Sequence, residues 1–143
     1  MKLVSLLALW LMGAVSANAA ALSESAIRAQ LFGLTLSGEY SSGAPWSEVF
    51  RADGTTVYTD SRGEARGTME FQGNQLCFKY TSGADMSGGC FEVWKRGRNC
   101  FDFYGSSETG TEASYTQKVR GLGWDARGWS EGTAKDCVAD LIS

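Results

Sequence analysis

The 143-residue chain contains no histidine. That removes the side chain best suited to take a nucleophile's proton near neutral pH. Ser-His and Cys-His catalysis are therefore excluded unless a lysine or carboxylate substitutes. The four cysteines, Cys77, Cys90, Cys100 and Cys137, include no C-x-x-C pair. With no histidine beside them, they do not form a metal-ligand pattern, and neither a metal nor a cofactor is expected. Basic residues are outnumbered, 13 against 16 acidic. A nucleic-acid partner would need the opposite balance. Beyond the N-terminal segment no apolar run is long enough to cross a membrane as a helix. Proline is almost missing, with Pro45 alone, and eighteen glycines supply the turns instead.

Residues 1–19 read as a signal peptide. Lys2 is the positive start, and Leu3 to Val15 is an apolar run too short for a stable anchor. The small residues Ser16-Ala17-Asn18-Ala19-Ala20-Ala21 place cleavage after Ala19 or Ala21. The alternative is a membrane-anchored N-terminus. The expected compartment is periplasmic or secreted. Residues 20–143 form one domain by length.

Four cysteines in an exported chain are most simply two disulfides, and three connectivities are open. The favoured pairing is Cys77–Cys90, tying neighbouring strands across their loop, with Cys100–Cys137 pinning the tail.

Gln75 to Tyr104 carries the clearest pattern. Leu76, Phe78 and Tyr80, then Phe91 and Val93, then Phe101 and Phe103 recur at every second position. That period marks strands with one buried face. Further strands are expected at Leu34–Tyr40, Trp46–Phe50, Thr56–Thr59, Gly67–Phe71 and Ala113–Arg120. Ser23–Phe32 reads as a short helix with Ser23 as N-cap and Gly33 as its stop. After Gly121 the alternation fades, and an irregular tail is expected from about residue 121. About eight short strands with a turn every 8 to 12 residues predict a mostly β chain, an antiparallel meander closed into a barrel. A β-sandwich is the alternative.

The order GLTL (33–36), W-x-x-V-F (46–50), DGT (53–55), RGTM (66–69), LCFKY (76–80) and C-F-x-V (90–93) resembles small secreted bacterial domains of unknown function. In these a short helix precedes a calycin-like antiparallel barrel. The resemblance implies that fold, and a bridge from the L-C strand to the start of the next one. It implies no catalytic residue. Cys100, Cys137 and Met69, where a tryptophan is usual, depart from it.

Paired carboxylates remain for acid-base work. Glu48, Asp53, Glu70, Glu92 and Asp102 lie in or next to strands. Asp53 is explained by its turn, and Glu70, Glu92 and Asp102 fall on the outward phase. Lys79, Lys95, Lys118 and Lys135 read as solvated charges, and Lys95, Arg96 and Arg98 as a soluble hairpin tip. Gly121-Leu122-Gly123 lacks the later glycine and helix of a phosphate loop.

Trp94 and Tyr104 share the outward phase with Glu92 and Asp102. These four residues are the candidate partner surface. Alternatively, the helix or the Trp124–Trp129 tail covers them as a second small core. The inward residues are nearly all large, which predicts a packed interior and weighs against a carrier. The resulting expectation is a non-enzymatic exported binding module. Its partner would be an envelope or extracellular protein, including an enzyme it inhibits, or the cell-wall polymer. A carrier of a small apolar ligand and a carboxylate-dependent hydrolase are the alternatives.

Overall fold

A computed structural model describes residues 20–83, 88–106 and 112–138. The expected signal peptide, residues 1–19, lies outside the described residues, as does the end of the expected tail, residues 139–143.

Helix α1 (Glu24–Leu31) begins where Ser23 Oγ accepts from the Ala26 N–H, 3.3 Å away. Glu24 and Arg28 pair one turn apart at 2.9 Å. Ile27 and Leu31, four apart, put one fully buried face against the barrel. Gly33, at φ +92°, ends the helix, and its N–H donates to Phe50 O at 2.6 Å.

Eight strands follow: β1 (Thr35–Tyr40), β2 (Pro45–Phe50), β3 (Thr55–Asp60), β4 (Gly63–Gln72), β5 (Gln75–Gly83), β6 (Gly89–Arg96), β7 (Cys100–Gly105) and β8 (Ala126–Ser130). Each pairs antiparallel with the next, and β8 returns to β1 from Leu36↔Ser130 to Tyr40↔Ala126. The result is a closed meander barrel rather than a sandwich. Closure leaves no free edge.

Helix α1 stops one end of the barrel. Ile27 and Leu31 join Leu36, Phe50, Leu76, Val93 and Phe101 in the core cluster. Phe32 stacks on Phe71 at 6.1 Å, with the Arg28 guanidinium 4.6 Å from the Phe71 ring centre. Leu22 N–H donates to Val93 O at 2.7 Å, extending the sheet where β6 runs past β5. Lys95 is not a solvated charge. It continues the inward phase of Phe91 and Val93, and its Nζ donates to Gln30 Oε1 of α1 at 2.8 Å. Lys118 is likewise engaged, with its Nζ 2.8 Å from Glu92 Oε2.

Two expectations after residue 105 are corrected. Residues 113–120 are not a strand. Tyr115–Val119 form helix α2, opened by a capping box in which Ser114 Oγ accepts from Gln117 N–H and Gln117 Oε1 accepts from Ser114 N–H. Nor is the chain irregular throughout from residue 121: Ala126–Ser130 is the strand that closes the barrel.

Both disulfides join the expected partners. Cys77–Cys90 links residues directly opposed on β5 and β6. Cys100–Cys137 ties the C-terminal segment to the start of β7.

Candidate functional site

The end of the barrel away from α1 is open and holds a cavity of about 290 Å³. The interior is therefore packed at one end only, contrary to the expected filled barrel. A small inward residue leaves room: Ala126, on β8, lines the cavity, and that strand contributes no ring to this mouth.

Trp46, Glu48 and Phe50 alternate as the buried positions of β2. This phase carries a carboxylate inward. Glu48 Oε1 accepts from Tyr80 Oη at 2.6 Å and lies 2.7 Å from Thr56 Oγ1. Thr56 Oγ1 is also 2.9 Å from Val49 O. The Thr56 hydroxyl has one proton for two acceptors. A protonated Glu48 resolves this, donating to Thr56 while Thr56 donates to Val49 O. Burial drives the group the same way. It lifts the Glu48 carboxyl to about 7, against the opposing hydrogen bonds from Tyr80 and Thr56. Glu48 Oε2 makes no hydrogen bond among the described residues.

Seven aromatic rings encircle the cavity. Tyr40 meets Trp46 at 6.3 Å, Trp46 meets Phe103 at 6.1 Å, and Phe103 meets Phe91 at 6.3 Å. Phe91 meets Phe78 at 6.0 Å, Phe78 meets Tyr80 at 6.3 Å, and Tyr80 meets Tyr58 at 5.8 Å. The Tyr58 and Tyr40 hydroxyls, 2.7 Å apart, close the circle. Tyr58 Oη also donates to Asp60 Oδ2 at 3.2 Å, and Asp60 in turn receives the Arg62 guanidinium at 2.6 Å. Burial pushes all three tyrosine hydroxyls above their ordinary value.

Two glycines make this arrangement possible. A Cβ at Gly38 would lie 2.2 Å from Trp46 Cε2, and one at Gly128 2.8 Å from Trp46 Cη2. The indole lies flat across β1 and β8 only because neither has a side chain there. Its buried Nε1 has no hydrogen-bond partner among the described residues.

The candidate partner surface on β6 and β7 is covered. Trp94, Tyr104 and Asp102 are 3%, 2% and 0% exposed, and Glu92 is half-buried. The cover is α2 and β8, not α1. Tyr115 packs its ring 6.0 Å from Trp94, and Trp94 meets Tyr104 at 6.3 Å. Asp102 bridges two guanidiniums, Arg96 Nε at 2.7 Å and Arg127 Nε at 2.5 Å. Arg96, expected at a soluble tip, is 1% exposed and also donates to Tyr104 Oη and to Lys118 O. Glu92 accepts from Lys118 and Trp94 Nε1. Although burial raises its carboxyl, these bonds and the Lys118 charge hold it below the ordinary value. This face is a second small core.

Glu48 was visible in the sequence as a strand carboxylate, and its phase with Trp46 and Phe50 was the signal for an inward position. Tyr40 and Tyr58 carried no such mark, because their strands show little apolar alternation. The cover over Trp94 was signalled by Ser114-x-x-Gln117, a helix-start pattern. No group of three or more possible metal ligands occurs among the described residues. No family model matches the chain, and no curated protein matches it.

Proposed function

We propose that this protein is an exported, non-enzymatic binding module that takes a small, partly apolar ligand into the open mouth of the barrel. The observation that carries this reading is the cavity, walled by a complete circle of rings with one carboxylate among them. Pockets for small molecules have this make-up, mostly apolar with a few placed polar groups. At about 290 Å³ the space suits a fragment-sized molecule rather than a long acyl chain. Glu48 is the lining's one carboxylate among the described residues, whereas carboxylate hydrolysis uses a pair. Two disulfides and the resemblance to secreted bacterial barrels support a periplasmic or extracellular location.

Native mass spectrometry of the protein taken from its producing cell tests the reading. The expected result is a retained small-molecule mass that Ala126→Leu, which fills the mouth, loses while staying folded. Equal retention by Ala126→Leu, or bare wild-type protein that also takes up no fragment from a library, sinks it.

A further inference from the structure

We infer that the ligand recognised at this mouth is a small organic cation, an amine or quaternary ammonium carried on an apolar body, bound by the Glu48 carboxylate inside the aromatic circle. This rests on the proposal that the mouth is a ligand site, and names the ligand's chemistry.

Three observations point to a cation. First, the rings present π-electron density around a concave space, and Trp and Tyr rings attract cations. Four of the seven rings are Trp or Tyr: Tyr40, Trp46, Tyr58 and Tyr80. Second, Glu48 has no cationic partner among the described residues. Its hydrogen bonds come from two hydroxyls, both on Oε1, and Oε2 is left for a ligand. A buried carboxylate without a counter-charge is costly, and a bound ammonium supplies one. Third, the one guanidinium in the lining among the described residues is already committed. Arg62 is paired with Asp60 through Nε at 2.9 Å and Nη2 at 2.6 Å. An anion entering the mouth would meet Glu48 with no uncommitted positive charge among the described lining residues to offset it.

The recognition is coupled to protons. The titratable and charged groups around Glu48 among the described residues are Tyr40 from β1, Tyr58 and Asp60 from β3, Arg62 from the β3–β4 turn and Tyr80 from β5. The tyrosines stay neutral, since burial raises them. Hydrogen bonding to each other holds Asp60 low and Arg62 high, so both keep their charge. Glu48 alone changes charge near neutrality. A cation must displace its proton, so binding releases a proton and weakens as the solution becomes acid.

Benzylamine, benzyl alcohol and benzoate, alike in size and differing in charge, are the probes, titrated calorimetrically into the mature protein. At about pH 8 benzylamine is expected to bind at least about tenfold more tightly than benzyl alcohol, with benzoate weakest. At about pH 5 that preference should disappear, although the amine is still charged. Glu48→Gln should abolish the preference at both pH values while still taking up benzyl alcohol. Near neutral pH, binding heats in buffers of different ionisation enthalpy should reveal proton release in the wild-type protein, a readout that needs no variant. Benzyl alcohol or benzoate binding as well as benzylamine at about pH 8 would overturn the inference and leave the ligand site standing. So would an amine preference that survives in Glu48→Gln, or binding without proton release. Absence of binding by all three probes would overturn the ligand site along with it.

Discussion

Glu48→Gln should remove a pH dependence of stability that originates at a single buried carboxyl. The ordinary value for this group is 4.5, and burial lifts it to about 7 in the folded chain. In the unfolded chain it is hydrated and returns to the ordinary value. Between these two values the folded protein holds a proton that the unfolded chain has released. Stability therefore falls as pH rises across that window. The contribution is fully present below the unfolded value and is lost as pH passes through the folded value. At about 1.4 kcal/mol per pH unit, the gap between the two values corresponds to about 3 kcal/mol. Glutamine cannot titrate, and its Oε1 still accepts from Tyr80. Urea melts of both proteins, followed by tryptophan fluorescence, should give a stability difference that shifts by about 3 kcal/mol in favour of Glu48→Gln between about pH 4 and pH 8. Asp53, Asp60 and Glu92, whose carboxyls are held low, act in the opposite sense at lower pH and are common to both proteins. They cancel in the difference. A difference that stays flat across the window would refute the account of Glu48 as a carboxyl kept protonated by burial.

Trp94→Ala should cost about 3–5 kcal/mol in a denaturant melt, as buried tryptophan truncations do, whereas Tyr115→Ala, at 67% exposure, should cost about 1 kcal/mol or less. A small loss for Trp94→Ala would mean that α2 does not cover this face in solution. Asp102→Asn should destabilise by about 3–5 kcal/mol, because Arg96 and Arg127 would keep their buried charges without a carboxylate, and the same melt measures it. Gly128→Ala should cost about 1–3 kcal/mol and shift tryptophan emission by pushing the Trp46 ring off the wall, read by melt and fluorescence together. Replacing Cys100 and Cys137 together by alanine should cost about 2–4 kcal/mol by melt, with non-reducing peptide mapping of the parent chain recovering Cys77 with Cys90 and Cys100 with Cys137.

The barrel was legible because its signals are local. Alternation in residues 75–104, turn glycines and a capped helix each act within a few residues, and β5, β6 and β7 stand where the period of two puts them. Two cysteines at the facing positions of one hairpin were readable for the same reason. The misread stretches are those where local signals are ambiguous or missing. Tyr115 and Val119 are four apart, a spacing that suits a helix as well as a strand, and only packing on Trp94 and Glu92 decides between them. The closing strand, Ala126–Ser130, shows no apolar alternation, because its inward residues are Ala126 and Gly128. Gly128 is bare because Trp46, far earlier in the chain, needs the space. The mouth has the same origin. Its rings come from six strands and its carboxylate from β2, so no segment of the chain displays the site. The sequence by itself determined α1, strands β1 to β7 and the Cys77–Cys90 bridge, through interactions between near neighbours. The tertiary structure decided which faces are covered and where the cavity lies, since both depend on side-chain volumes that meet only when β8 pairs with β1.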